Sequence, residues 1–584
     1  MNLDSVLDPR SILVVGVSES RTNAAGHIVG NLVSFGYKGV VHALGTKPGT
    51  VCGHPIRTSI DDVPDGIDLA VVMTPARTVP GLLDACGRKG IRHAIVQSGG
   101  FGELGEEGAA VQQAALDAAR RHGIRFVGPN CLGALAPAAG VCTFFVPFED
   151  FFDRGRVSLG AQSGGVGATY LYQIASEGIG LRRFVSMGNK LDVDEADLVT
   201  GFAADEGCDV VALYIEDVKR GRAFFDAIKG CAKPVLIQRA GRTAAGQKAA
   251  FSHTAALAAD DAVLSAAIRQ AGGLRVRSAE EMMCRIKAFL MPPMRGRRLA
   301  VISRSGGHAV IGADCATDEG FDLPPFPQDF LSSLGHGWAD SVIRRGNPLD
   351  LGDIFDFAAY ARILDAVLSM PEFDGAVFVH EYFAKLEGET ARRLVPAAEE
   401  AVRRHGKPVA LVLFTDEEEV AHLKRHSSFP FYTSVECAVG ALSASWKHER
   451  RKARKASNGG TAPGGVAEAA ARVRELAGMG RTSLLCEGLD VLGAAGVRVP
   501  WWGLVRSAED APDRLGHPVA VKAVSARAVH KTEAGGVVLD VRDPAHLRRV
   551  IEEMSARFGP FGEGEGVLVQ RMCAPATEVI VGGG

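Results

Sequence analysis

Short apolar runs ending in small or polar residues recur along the chain: SILVVGV, HAIVQSGG, DVVALYIED, KPVLIQRAGR, LAVISRSGG, GAVFVHEY and KPVALVLFTD. Between them lie longer segments with helical spacing of apolar positions, such as GAAVQQAALDAARRHG. Buried parallel strands alternating with helices predict doubly wound α/β domains. At 584 residues the chain exceeds what one core supports, so three to five domains are expected. The stretch RKARKASNGGTAPGG, Arg451 to Gly465, is basic and then rich in Gly, Ser and Pro, and reads as a linker.

An internal repeat refines this picture. QSGGVGATYLYQIASEGIGL starts at Gln162, and RSGGHAVIGADCATDEGFDL starts at Arg304. Each has a polar residue, Ser-Gly-Gly, a helix-like stretch and Glu-Gly at the same offset, then GNKLDV at Gly188 or GNPLDL at Gly346. Two similar α/β domains are the simplest account. In each, a Ser-Gly-Gly turn after a strand exposes backbone N–H groups at a helix start, which is a ready anion site.

Composition narrows the function classes. Lys+Arg number 65 against Asp+Glu 68, so there is no basic field and nucleic acid is not an expected partner. The N-terminus MNLDSVLDPR has no apolar core of a signal peptide, and no run reaches membrane-spanning length. Eleven scattered cysteines without a CxxC pair fit a reducing compartment and speak against structural zinc. A cytoplasmic protein without a membrane partner is expected.

Several motifs place small or polar residues at the ends of predicted strands, where ligands of such sheets bind. In the first β–loop–α–β unit Gly16 lets the chain turn under a phosphate, Ser18 follows it, and Lys47 closes the next strand. VVMTPA with Pro75, QSGGFGE and VGPNCLG with Asn130 come next; four such ends along one sheet imply a phosphate-bearing cofactor. Glu216, at the acidic tip of ALYIED, either orients an imidazole or is a solvated strand end. FSHTAALAAD places His253 ahead of a helix expected over Thr254 to about Gln270. There the residue is a neutral cap or surface group, or it carries a phosphoryl group, because a helix start favours a dianion over an imidazolium. Beyond the linker a strand bears Lys522, followed by His530-Lys531-Thr532-Glu533, a Gly-Gly pair, and GVLVQRMCAPATEVIVG with Glu578. These are parts for holding a nucleotide triphosphate.

SHTAALA, VGPNCLG, QSGG, GNKLDVDE and VKAVS…HKTEAGGV, in this order, resemble the NDP-forming (ADP-forming) acyl-CoA synthetases of the succinyl-CoA synthetase superfamily, in their fused form. The resemblance implies an α/β chain with a Rossmann-like CoA-binding domain (1–135), two flavodoxin-like ligase domains (150–292 and 297–450), a linker (451–478) and a partial ATP-grasp domain (479–584). It implies an acid–thiol ligase that joins a small-molecule carboxylic acid to CoA with ATP, releasing ADP and phosphate through an acyl phosphate and a phosphohistidine. His253 matches the phosphorylated histidine, Glu216 the glutamate that steadies it, and His530 a second relay histidine. Ser163, Gly164 and Gly165 with Ser305, Gly306 and Gly307 match the two helix starts that bind the phosphoryl group. Gly16, Ser18, Lys47, Pro75 and Asn130 match the CoA crevice, and Lys522 with Glu578 the nucleotide site. Mg2+ is implied, with its acidic ligands past residue 584, so that the ATP-grasp domain reads as truncated; a homodimer is the expected assembly.

Ala255 stands where relatives have glycine, and the first loop, SESRTNAAGH, lacks their lysine before Gly26. A competing reading keeps the fold as a catalytically silent CoA or nucleotide sensor, or as the regulatory part of a protein acetyltransferase. A Rossmann dehydrogenase fits less well, since the first β–loop–α–β unit carries no GxGxxG.

Overall fold

The apolar runs are the central strands of three largely parallel sheets. The computed structural model describes residues 3–246, 248, 260–334, 346–352, 357–457, 465–478, 485–513, 516, 518–525, 532–562 and 564–574. They fall into two units, Met1–Ala456 and Ser457–Gly584.

In the first unit the N-terminal sheet contains β1 (Ser11–Val15), β2 (Val40–Leu44), β3 (Gly49–Val51), β4 (His54–Arg57), β5 (Leu69–Val72), β6 (His93–Val96) and β7 (Arg125–Val127), in the order β3-β4-β2-β1-β5-β6-β7. Only the β3–β4 pairing is antiparallel. The chain winds one way from β1 to β2 and β4, then the other way to β5, β6 and β7. This is the Rossmann-like order, with its switch at the end of β1.

The second sheet contains β8 (Ala134–Ala136), β9 (Val141–Cys142), β10 (Arg154–Ala161), β11 (Leu181–Ser186), β12 (Val210–Ile215), β13 (Val235–Arg239) and β14 (Leu274–Val276), in the order β14-β13-β12-β10-β11-β8-β9. β8 straddles residue 135 and adds to β11 antiparallel, stitching the first domain to the second. The third sheet contains β15 (Leu299–Ser303), β16 (Leu349–Asp350), β17 (Gly375–Glu381), β18 (Val409–Phe414) and β19 (Phe431–Tyr432), in the order β16-β15-β17-β18-β19. From β10 onward the second sheet is wound in the same way, with β11-β10-β12-β13-β14 in place of β16-β15-β17-β18-β19. This is the flavodoxin-like 2-1-3-4-5 order, so the repeated motif is a repeated fold. The register agrees: Ala161 pairs with Tyr214 as Ser303 pairs with Val379. The helices Gly164–Ser176 and Gly306–Asp318 each end before a left-handed glycine, Gly178 and Gly320.

One carboxylate joins the two flavodoxin-like domains. Glu177 lies 2.5 Å from Lys287 Nζ and 2.7 Å from Lys424 Nζ. Lys287 is buried and also donates to the Phe431 carbonyl at 2.8 Å.

The two units divide within the stretch expected as a linker, 451–478, and its described parts are helical. The helix Val435–Ser457 runs into it and the helix Val466–Gly478 fills its second half. Arg, Lys, Ala and Glu dominate both parts and are strong helix formers, which outweigh the Gly-Pro segment between them. The second unit has an antiparallel sheet of β20 (Trp502–Val505), β21 (Val519–Val524), β22 (Val537–Val541) and β23 (Gly566–Arg571), ordered β20-β23-β21-β22. The helix Pro544–Phe558 covers it, packing Leu547 and Ile551 on Val521 and Val569. Among the described residues no helix is long and apolar enough to cross a membrane.

Burial works against the Glu177 charge, but Lys287 and Lys424 hold its carboxyl below its ordinary value. Its contribution is present above about pH 4.5, the ordinary value, and is lost as pH falls through the lowered folded one. Glu177→Gln is expected to cost about 3 kcal/mol at pH 7 in urea unfolding of the chain, with a smaller cost below pH 4. An equal cost at both pH values would show that the ion pairs do not carry the junction.

Candidate active site

The C-terminal ends of β10 and β12 diverge at the switch point of the second sheet, leaving a crevice between them. Ser163 caps the helix that leaves β10, its Oγ accepting from Val166 N at 3.4 Å. Of the three glycines that follow, two are explained by packing. A Cβ on Gly167 would lie 2.8 Å from the Phe184 ring, and one on Gly164 would lie 3.2 Å from Leu132 Cβ. A Cβ on Gly165 would meet nothing within 4 Å. Packing does not demand glycine there, and its absence of a side chain leaves the helix start open to the crevice.

Gln162 ties the two strand ends together. Its Oε1 accepts from Glu216 N at 2.8 Å and Asp217 N at 3.2 Å, and its Nε2 donates to Asp217 Oδ1 at 2.6 Å. Below them Lys190 is buried, with Nζ 2.9 Å from Glu195 Oε2 and 2.8 Å from Asp217 Oδ1. Burial works against the Asp217 charge, yet Lys190 and Gln162 hold its carboxyl below its ordinary value. Glu195 goes the other way: burial raises its pKa despite Lys190, and Asp194 adds to the rise.

Loops of the first domain close the crevice. Asn130, at φ 56°, donates from Nδ2 to Asn189 Oδ1 at 3.3 Å. Asn189 Nδ2 donates to Glu103 Oε2 at 2.6 Å, and Gly100 N donates to Glu103 Oε1 at 2.7 Å. A Cβ on Gly188, at φ 57°, would lie 2.2 Å from the Pro129 carbonyl, so glycine is required where these loops cross. QSGGFGE, VGPNCLG and GNKLDVDE thus meet at one place.

The result is a cavity of about 630 Å³ that brings together Asn130, Ser163, Gly164, Gly165 and Glu216. Its far wall is aromatic, with Phe144, Phe148 and Tyr172; Phe144 and Phe148 meet edge to face at 4.9 Å. The sequence reading missed this wall, although TFFVPFEDFF carries it, and it left Gln162 out of the site residues.

The remaining expected positions are spread more widely. Gly16, at φ 101°, would place a Cβ 2.1 Å from the Met73 carbonyl, so close backbone approach accounts for it. Ser18 N donates to Asn23 Oδ1 at 3.1 Å, and Asn23 also accepts from Gly26 N to cap the helix Ala24–Ser34. Ser18, Lys47 and Pro75 are exposed and line neither this cavity nor the adjoining one of about 550 Å³. The two cavities share Pro147 and Phe148. Arg21 and His27 line the adjoining one, so a cation from SESRTN faces it although the usual lysine is missing.

Ser305, Gly306 and Gly307 of the second turn are not among the described residues that line this cavity. Arg304 replaces Gln162 at the equivalent position and donates to the Glu381 carbonyl at 2.8 Å and to Glu387 at 2.9 Å. Glu381 is the register equivalent of Glu216, and its Oε2 lies 3.1 Å from His308 Nδ1. Arg304 and Glu381 line a cavity of about 1210 Å³ that shares no lining residue with the first.

In the second unit Lys522 Nζ donates to Gln570 Oε1 at 2.8 Å across β21 and β23. His253, His530 and Glu578 lie outside the described residues. Of the helix expected over Thr254 to about Gln270, residues 254–259 lie outside the described residues; the described helix is Asp261–Ala271, whose cap Asp260 accepts from Ala262 N and Val263 N.

Three family models match the chain: a CoA binding domain over residues 10–137, a succinyl-CoA ligase-like flavodoxin domain over 154–289 and an ATP-grasp domain over 477–584. The ADP-forming acetate–CoA ligase I of Archaeoglobus fulgidus is 30% identical, over 99% of this chain and 84% of its own. The chain belongs to the ADP-forming acyl-CoA synthetases. Within this family the ADP-forming 4-hydroxybutyrate–CoA ligase of Nitrosopumilus maritimus is 29% identical over 99% of this chain and 84% of its own. The solved dinucleotide-forming acetyl-coenzyme A synthetase 1 of Candidatus Korarchaeum cryptofilum, in complex with phosphate and ADP, superposes with a TM-score of 0.73. It is 30% identical and covers 79% of this chain and 100% of its own.

Gln162→Leu keeps the side-chain volume but leaves the Glu216 and Asp217 N–H groups without their acceptor. It is expected to cost about 2 kcal/mol in denaturant unfolding. A cost near zero would mean that other groups hold the switch point.

Proposed function

We infer that this synthetase interconverts carboxylic acid, CoA and ATP with acyl-CoA, ADP and phosphate. The observation that carries this reading is the cavity in which an open helix start, Gly164-Gly165, meets Glu216 and Asn130 of the CoA-binding domain. Backbone N–H groups at such a start bind phosphate oxygens and favour negative charge.

In the thioester-cleaving direction a phosphate oxygen attacks the acyl carbon and the C–S bond breaks. CoA leaves as thiolate and takes up a proton, and acyl phosphate remains. A ring nitrogen of His253 then attacks phosphorus, the bond to the acyl oxygen breaks, and the carboxylate departs. The phosphohistidine finally transfers its phosphoryl group to the terminal oxygen of ADP. In this scheme Gly164 and Gly165 hold the phosphoryl oxygens through backbone N–H groups, and Glu216 orients the imidazole. We assign the acyl chain to the aromatic wall of Phe144, Phe148 and Tyr172, which offers apolar contact and no charge. Lys522 is our candidate for the nucleotide phosphates.

Magnesium belongs to this reading as the companion of ATP. Among the described residues no three His, Cys, Asp or Glu side chains gather, so no ligand set is assigned and no step is routed through the metal. The eleven cysteines are all free, which supports a reducing, cytoplasmic setting.

Incubation with γ-labelled ATP and magnesium is expected to leave acid-labile label that is absent from His253→Ala. Label that survives in His253→Ala removes the carrier assignment, and no label in the parent chain removes the ligase reading. Gly165→Val places its Cβ in open space and its methyl groups at the helix start, toward the crevice. Turnover is expected to fall about 100-fold with the unfolding midpoint unchanged; unchanged turnover would place phosphate elsewhere.

A further inference from the structure

A second cleft lies between the two flavodoxin-like domains, on residues that the synthetase reading does not use. Its volume is about 730 Å³. One wall comes from the helix Asp261–Ala271, β14 and the segment after β14; the other is one face of the helix Val435–Ser457, with Gly440, Ser443, Lys447 and Arg451 at helical spacing. Arg242, just after β13, closes one end.

The charge in this cleft is unbalanced. Among the described residues, seven that line it are Arg or Lys and three are Asp or Glu. The three carboxylates are already engaged: Asp261 with Arg239 and Arg275, Glu281 with Arg285, and Glu319 with Lys447. Arg242, Arg269, Arg277 and Arg451 have no carboxylate partner among the described residues. The paired arginines also have donors to spare, since Arg275 Nε and Arg285 Nε are buried without a hydrogen-bond partner among the described residues. Arg451 is held in place by the Gly272 and Gly273 carbonyls at 3.4 and 3.2 Å. Burial, with Arg269 and Arg450 beside it, disfavours its charge. Like charges gathered in a concave site with unused donors lower their energy by binding an anion.

We propose that this cleft binds a polyphosphate anion, a di- or triphosphate, at a site separate from the catalytic cavity. Its size exceeds what a single phosphate fills, and the guanidinium groups suit several phosphate oxygens at once. Among the described residues the lining contains no aromatic side chain, so the site is assigned to the phosphate chain rather than to a stacked base. Both nucleotides and inorganic polyphosphates supply that chemistry. The anion would bridge the two domains, and Arg242 and Asp261 flank the segment that carries His253. Occupancy is therefore placed to regulate transfer, although binding itself does not depend on the synthetase reading.

The test is calorimetric titration of the full chain with inorganic tripolyphosphate, pyrophosphate and ADP, at low and at physiological salt. Tripolyphosphate is expected to bind the parent chain and Lys522→Ala alike, to bind R269Q/R451Q at least about tenfold more weakly, and to weaken with salt. Arg277 is exposed, so Arg277→Gln leaves the fold intact and should weaken binding about threefold even if the double variant fails to fold. ADP binding no tighter than pyrophosphate identifies the phosphates as what is read, and a tenfold preference for ADP that R269Q/R451Q abolishes identifies a nucleotide as the source. Equal affinity in the parent chain, Arg277→Gln and R269Q/R451Q, or loss confined to Lys522→Ala, overturns the proposal.

Discussion

The candidate site depends on one buried ammonium group. Lys190, with its side chain wholly buried, reaches Glu195 from the loop after β11 and Asp217 from the end of β12. A lone buried charge would be prohibitive, so these contacts fix where both segments run. One ammonium cannot neutralise two carboxylates, and the structure resolves the conflict unequally. Asp217, which also has Gln162, is held below its ordinary value, while burial and Asp194 push Glu195 upward. The remaining oxygen of Glu195 has no partner among the described residues, in keeping with that direction. From this pin follow the placement of Glu216 beside the start of the helix after β10, and of Asn189 against Asn130.

The repeat shows how one fold supports two different environments. Gln162 and Arg304 occupy the same register position at two switch points. The neutral amide spends its hydrogen bonds on backbone and on Asp217, leaving the helix start facing an open cavity. The guanidinium instead gathers Glu387 and the Glu381 carbonyl, so an ion pair lines the cavity at the second switch point. An identical Ser-Gly-Gly turn therefore meets different electrostatics, set by the residue before it.

Much of the fold was legible because its signals are local. Uniformly apolar runs mark strands buried on both faces, and the doubled Ser-Gly-Gly with its downstream Glu-Gly marks a doubled winding. Asn130, Ser163, Gly164, Gly165 and Glu216 could be named from strand ends alone, because ligands of such sheets sit there. What stayed hidden depends on side chains from distant segments. No spacing in the sequence reveals that Glu103 meets Asn189, or that Phe144 and Tyr172 share a wall. In the Arg451–Gly478 stretch, Gly and Pro in its middle drew attention from the helix formers on either side, which form helices there.

The helix after His253 changes the electrostatic argument for that residue. Its first turn is occupied by Asp260 as cap and by Asp261, whose carboxylate also holds Arg239 and Arg275. Two carboxylates at a helix start already satisfy its positive end. That end therefore has little field left for a further anion. The open start at Gly164-Gly165 has no acid in its first turn, and its glycines keep the backbone N–H groups accessible. Of these two helix starts, only the one at Gly164-Gly165 has its field unspent, so in the proposed reading the anion-stabilising role falls to it, about ninety residues before His253.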